Sequence, residues 1–211
     1  VTAGLDLRGK TALVTGGNTG IGYETMRVLA LRGAHVFGTA RTVEKGQIAC
    51  SSVDGRATPF VLELSDFESV VACANQILAQ ATPLDIVVCN AGVLLDAPQK
   101  VRGLERHFVV NHLGHFILVN RLLAQVRAAP AGRVVVVSSR AHRSAPDDGI
   151  QFDNLAGDGD FDRQRIYGHS KLANGLFSLE LARRLEGSMA TSNSLHPGVV
   201  VTDLARNLPA W

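Results

Sequence analysis

Residues 11–33 read TALVTGGNTGIGYETMRVLALRG, and this stretch decides the fold. TALVT is a short β-branched run. A glycine turn follows, and GYETMRVLALRG then has helical spacing and closes on Gly33. The turn carries Gly16, Gly20 and Gly22 between strand and helix. Glycine lets the backbone turn sharply and approach a ligand closely. The helix start then presents free N–H groups and a partial positive charge, which suits a pyrophosphate. The spacing is GxxxGxG, not the commoner GxGxxG dinucleotide pattern. Any tight strand-to-helix turn also collects glycines, so the pattern needs support from the rest of the chain.

Outward from this unit the alternation continues. AHVFGTA and PFVLEL read as strands, and DFESVVACANQILAQA as an amphipathic helix begun by an acidic cap. DIVVCN is a buried strand, and LERHFVVNHLGHFILVNRLLAQV a long helix apolar around much of its circumference. RVVVVSS is the most apolar strand, IYGHSKLANGLFSLELARRLEG a helix, and ATSNSLH a weaker last strand. Alternating elements with nearly unbroken apolar strands predict an α/β fold, a doubly wound parallel sheet covered by helices on both faces. There is no repeat and no linker, so residues 1–211 read as a single three-layer α/β/α domain. The one long irregular stretch is RAHRSAPDDGIQFDNLAGDGDFDRQR, and long loops inside compact domains are usually functional or mobile.

Composition narrows the function classes. The chain has 211 residues, 46% of them hydrophobic, enough for a large core. Charged residues are 19% and the net charge is +2, which leaves no concentrated basic face for nucleic acid. Cys50, Cys73 and Cys89 form no CxxC pair and no metal spacing, which suits reduced thiols in a cytoplasmic protein. No apolar run reaches the roughly 18 residues that span a bilayer. The start, which is not Met, lacks the basic-then-apolar layout of a signal peptide. HFVVNHLGH supplies His107, His112 and His115, but zinc wants a more distinctive ligand set, so these read as packed or capping groups.

Two sites carry chemistry. The second strand ends GTAR, with Arg41 present and no carboxylate until Glu44. An acidic residue here would accept from a ribose 2′-OH, whereas a guanidinium pairs bidentately with a 2′-phosphate. NADP(H) is therefore predicted over NAD(H), which stays possible; an Arg41 that only meets solvent is the alternative. In YGHSK, Tyr167 and Lys171 lie on one helix face, about 5–6 Å apart at their β-carbons. A phenol ionises near pH 10 unaided, and a neighbouring cation favours the phenolate.

CNAG (89–92) ends the fourth strand, Asn111 lies in the long helix, Ser138 and Ser139 end the fifth strand, and HPG follows at 196–198. With TGxxxGxG and YxxxK these occur in the order of the short-chain dehydrogenase/reductase family, which the chain resembles from about Leu5 to Leu204. TGGNTGIG, VVVVSSRAH and YGHSKLANGLFSLELARRL look most like its retinol-dehydrogenase-like branch. The resemblance implies a Rossmann-type fold and hydride transfer between NADP(H) and a carbonyl or alcohol. It makes Tyr167 the general acid/base, with Lys171 lowering its pKa and holding the nicotinamide ribose. Ser139, rather than Ser138, would orient the substrate oxygen, and Asn111 would hold a water for proton relay. The cofactor contacts it implies are Gly16, Asn18, Thr19, Gly20, Ile21 and Gly22 in the turn, with Arg41 beside them. Glu63 and Leu64 fall at adenine, where the family usually has Asp. Asn90, Ala91 and Gly92 fall beneath the adenosine ribose, and Pro197, Gly198, Val200 and Thr202 at the nicotinamide end.

Val93, Leu94 and Leu95 suggest a lipophilic substrate, and His142 is a candidate to face it. A homo-oligomer fits the same resemblance. The segment between Ser139 and Tyr167 is longer than the family's spacing, and family members continue past the position of Trp211 with a further helix and strand. Two other readings compete: a non-catalytic redox sensor on the same fold, and a lyase or epimerase, which would want a larger C-terminal substrate domain.

Overall fold

The computed structural model describes residues 2–198 and 200. β1 (Thr11–Val14) is buried throughout and feeds α1 (Gly20–Leu31). β2 (His35–Ala40), α2 (Val43–Ser51), β3 (Arg56–Val61) and α3 (Phe67–Leu78) follow. After β4 (Ile86–Cys89) comes a small hairpin, β5 (Lys100–Val101) and β6 (Leu104–Glu105). The single turn α4 (Arg106–Phe108) leads through a widened π turn at Val109–Leu113 into α5 (Gly114–Ala128). β7 (Arg133–Val137), two 3-10 turns at Arg140–Ser144 and Phe152–Asn154, α6 (Arg163–Arg184) and β8 (Thr191–Leu195) complete the order.

The main sheet is parallel with strand order β3-β2-β1-β4-β7-β8. Successive side chains of β1 serve opposite layers, as the period of two in a strand requires. Leu13 joins Phe37, Ile77, Leu118, Leu122 and Leu181 on the face covered by α3, α5 and α6. Ala12 and Val14 join Met26, Ala30, Val36 and Ala49 on the face covered by α1 and α2. The expected three-layer α/β/α, Rossmann-type architecture is what the chain adopts. The chain winds outward through β2 and β3, then returns to set β4 on the other side of β1. At that reversal the helices after β1 and β4 leave toward opposite faces, which opens a crevice at the carboxyl ends of the two strands.

Local chemistry sets the helix starts. The Asp66 carboxylate accepts from Glu68 N at 3.0 Å, and Asp162 accepts from Gln164 N and Arg165 N at 2.9 and 3.1 Å. These caps satisfy donors that a first helical turn leaves unpaired. The helix read from Leu104 onward is more broken than its periodicity predicts, because Leu104 and Glu105 pair in the hairpin and the π turn interrupts the rest. Among the described residues no helix is long and apolar enough to cross a membrane. The three cysteines are free and buried, and burial pushes the Cys73 and Cys89 thiols up to about 12.

Candidate active site

The crevice is fastened from both sides. The Thr15 hydroxyl accepts from Asn90 N at 2.9 Å and Ala91 N at 3.0 Å, and Asn90 Nδ2 donates to Thr15 O at 2.9 Å. A β-carbon at Gly22 would lie 2.1 Å from Gly16 O and 2.5 Å from Asn90 Nδ2. Only glycine fits there, so α1 begins pressed against the strand ends. Asn18 lies in the turn, Thr19 is the N-cap residue, and Gly20 and Ile21 open the helix. The first turn of α1 holds no acidic residue, which leaves its positive end uncompensated by a carboxylate of its own. Those features fit a bound pyrophosphate.

Arg41 follows buried Ala40 and is exposed. Its nearest acidic neighbour in sequence, Glu44, bonds to its own backbone N–H and to the Thr42 side chain, which holds its carboxyl below the ordinary range. No ion pair engages Arg41 among the described residues. Glu63 is used locally: its Oε1 accepts from Ser65 N at 3.0 Å and Ser65 Oγ at 2.6 Å. The Leu64 side chain is core. Pro197 and Gly198 follow β8, and Val200 borders an apolar cleft of about 550 Å³ with Gly20 and Ile21 at the start of α1. Thr202 lies outside the described residues.

The reacting end is built where α6 crosses the end of β7. Ser138 Oγ donates to Lys171 O at 2.7 Å, while Lys171 Nζ and Asn174 Nδ2 both donate to Val137 O at 3.1 Å. A β-carbon at Gly168 would sit 2.3 Å from Ala141 O, so the turn after Ser139 and the helix carrying Tyr167 touch backbone to backbone. That contact brings Ser139 within hydrogen-bonding reach of the Tyr167 phenol. Lys171 Nζ lies 5.5 Å from the Tyr167 ring centroid. Ser138 is thus a structural brace, and Ser139, which also caps the Arg140–Ser144 turn through Ala141 N at 3.2 Å, faces the phenol.

Asn111 is buried in the π turn. Its Oδ1 accepts from Val93 N at 2.7 Å, and its Nδ2 donates to Val93 O at 3.1 Å and Ser170 Oγ at 3.0 Å. Ser170 Oγ in turn donates to Tyr167 O at 2.7 Å. The amide therefore clamps the loop after β4 to the turn of α6 that bears Tyr167. Gly92 brings that loop against Asn111 and Lys171.

Electrostatics differ in one respect from the sequence reading. Burial pushes the Tyr167 phenol up to about 12, with the Ser139 hydrogen bond pulling the other way. Burial pushes the Lys171 ammonium down to about 8. Desolvation disfavours the charged form of each group, and the group that lowers the phenol is the Ser139 hydroxyl rather than the Lys171 ammonium expected from the sequence. Lys171 still carries its proton at neutral pH.

The long segment between Ser139 and α6 is tied down at several points. Glu105 N donates to Leu155 O at 2.8 Å and Gln151 N donates to His169 Nε2 at 3.1 Å, and where the segment enters α6 Arg163 pairs with Asp96 at 2.5 Å. Lys100 pairs with Asp158. The segment thus packs on the hairpin and the loop holding half-buried Val93, Leu94 and Leu95. His142 is exposed, with Nδ1 2.7 Å from Ser139 O. The helix histidines are packed, hydrogen-bonded groups, as read. His107 bonds Glu105 at 2.7 Å, and His112 lies among Phe108, Phe116 and Phe177. Among the described residues no group of three or more metal-ligating side chains forms. Sequence reasoning missed Thr15, Ser170 and Gly168 as parts of the site. Thr15 sits inside the quoted turn motif, and Gly168 and Ser170 lie between Tyr167 and Lys171, so position alone could have flagged them.

Comparison with known proteins agrees with this geometry. The family model described as short chain dehydrogenase matches residues 10–211. Retinol dehydrogenase 12 of Mus musculus is 42% identical over 98% of this chain, and the chain spans 66% of that relative's length. A crystal structure from Mycobacterium Paratuberculosis superposes with a TM-score of 0.85 at 35% identity, covering 97% of this chain and 74% of that one. A metagenomic short-chain oxidoreductase in complex with NADP gives a TM-score of 0.73 at 26% identity, covering 92% and 84%. A glycine-cradled helix start at the strand reversal, a serine facing a tyrosine four residues before a buried lysine, and a match along nearly the whole chain lead to one assignment: this chain belongs to the short-chain dehydrogenase family.

Proposed function

We propose that the chain is an NADP(H)-dependent oxidoreductase that interconverts a lipophilic carbonyl compound and its alcohol. The observation that carries this is the meeting of Ser139, Tyr167 and Lys171 at the end of β7, beside the crevice where the strand order reverses. The nicotinamide, when bound, supplies or accepts the hydride at the carbon. The chain's own residues handle the oxygen. Ser139 orients it through its hydroxyl. Tyr167 gives its phenolic proton to the oxygen during reduction and takes it back during oxidation. Its phenol, pushed up to about 12 by burial, holds its proton at neutral pH and so is available as the donor. The base role needs the phenolate, a form that the Lys171 ammonium, 5.5 Å from the ring centroid, and the positive ring of the oxidised cofactor would favour. Lys171, whose ammonium donates to Val137 O, would hold the nicotinamide ribose, and Asn111 braces the loop after β4 through Val93.

Arg41 supports the phosphorylated cofactor, since it is exposed and free of an ion pair among the described residues. The apolar loop at Val93, Leu94 and Leu95 supports a lipophilic substrate, and the likeness to a retinol dehydrogenase points to a retinoid-like alcohol or aldehyde. Exposed Phe116 on α5 and Leu176 and Leu179 on α6 would be covered in a homo-oligomer. Reduced, buried thiols favour a cytoplasmic setting.

The test is a panel of ketones and aldehydes, retinal included, followed through oxidation of NADPH. Tyr167→Phe should lower turnover by about 10²- to 10⁴-fold while nucleotide affinity is kept. Turnover equal to the parent in a folded Tyr167→Phe protein would overturn the assignment.

A further inference from the structure

His115 has no part in the mechanism above, yet it is fully enclosed and bonded at both ring nitrogens. Its Nε2 lies 2.8 Å from Thr15 Oγ1, and its Nδ1 lies 3.1 Å from Asn111 O. A carbonyl oxygen only accepts, so Nδ1 carries the ring proton and Nε2 presents a lone pair. The Thr15 hydroxyl already accepts from Asn90 N and Ala91 N, at 2.9 and 3.0 Å. Its own proton therefore points outward, and Nε2 is a closer acceptor than Val88 O at 3.4 Å. One tautomer satisfies every partner. The donor direction runs from the Asn90 and Ala91 amides to Thr15, from Thr15 to His115, and from His115 to Asn111.

This path joins the two halves of the crevice. Thr15 ends β1 immediately before the glycine turn, while Asn111 holds Val93 and, through Ser170, the Tyr167 turn of α6. We propose that neutral His115, protonated at Nδ1, is a positioning residue that sets the phosphate-binding turn and the Asn111 clamp in a single register. Burial, with Lys171 and His112 as neighbouring basic groups, pushes its pKa down to about 4, so the ring is neutral under physiological conditions. Protonation would turn Nε2 into a donor facing a hydroxyl that has no free lone pair. A phenylalanine would fill the volume but leave the Thr15 proton only the longer contact to Val88 O at 3.4 Å and take the Nδ1–H donor away from the Asn111 carbonyl. A glutamine offers one acceptor and one donor of similar reach.

The inference rests on the nucleotide-binding part of the proposed function, so its readouts begin with binding. Calorimetric titration with NADPH should show about tenfold weaker affinity in His115→Phe, with His115→Gln recovering most of it. The kcat for the carbonyl that the parent reduces fastest should fall in His115→Phe and recover in the same order. On the parent protein, ¹⁵N–¹H correlation spectra of the ring should report the Nδ1–H form at neutral pH, a readout that needs no variant to fold. A ring protonated at Nε2, or a folded His115→Phe protein with parental affinity and kcat, would overturn the proposal even if its thermal stability fell. Tight NADPH binding with no turnover of any carbonyl would instead count against the oxidoreductase reading and leave the positioning role standing on affinity and tautomer.

Discussion

Arg41 shows how much a single side chain can decide. It stands at the end of β2 with its charge in solvent, while Glu44 is turned back into the start of α2. A hydrogen bond to a charged partner is worth about 1.5–3 kcal/mol, which corresponds to roughly 10- to 100-fold in affinity. Arg41→Ala should therefore lower the preference for NADPH over NADH by that factor, read as the ratio of the two kcat/KM values. An unchanged ratio would mean that the guanidinium only meets solvent. At this scale most of the candidate site was legible, because its chemistry demands particular residue types at fixed spacings. Tyr167 with Lys171, Ser139 at a strand end and the glycine turn all declare themselves in this way. The balance of forces on Tyr167 did not, since burial depends on what the rest of the chain packs around the phenol.

Among the elements, the contact between α6 and the turn after Ser139 limits what the sequence tolerates. Gly168→Ala would drive a methyl group to 2.3 Å from Ala141 O, a contact that only backbone movement can relieve. Overpacking of this kind costs about 1–3 kcal/mol, and here the displaced backbone is the one that presents Ser139 to Tyr167. The expected result is a lower melting temperature and a fall in kcat beyond what the unfolded fraction explains. A fall in stability with parental kcat in the folded fraction would show that the contact is structural only. The strands and long helices were legible at this scale because burial imposes its period on them. The β5–β6 hairpin was not, since a two-residue strand has no period to detect. The π turn escaped as well, because VVNHL carries the same apolar spacing as the regular helix on either side. α2 escaped because it is short and leaves Val43 and Ile48 exposed, which blurs its apolar face.

For the molecule as a whole, the buried histidines set an acid limit. Burial is the first cause at His112 and His115, and each is lowered from 6.5 to about 4. In the unfolded chain both take up protons as pH falls below about 6.5, while in the folded chain they stay neutral to about 4. The unfolded state then binds more protons, so stability is flat above that window and falls within it. Each unit of depression corresponds to about 1.4 kcal/mol, so two such groups make a loss of several kcal/mol at the acid end. Urea midpoints should hold steady from pH 8 to about 6.5 and drop by pH 5 with little change in slope. A midpoint that does not move across that range would show that these rings are open to water. At the basic end Lys171 and Tyr167 act in opposite directions. Releasing the Lys171 proton between about 8 and 10.5 relieves a buried charge, and the Tyr167 phenol resists ionisation between 10 and about 12.

The cross-bonding of Thr15 to Asn90 and Ala91 has a kinetic meaning. Because these strand ends hold one another, the groove at the reversal keeps its shape by intramolecular bonds alone. A dinucleotide arriving there meets a finished mould and does not have to recruit loose chain around itself. Little conformational freedom is surrendered on association, so capture should follow the rate of encounter, and discrimination between coenzymes is left to how quickly each departs.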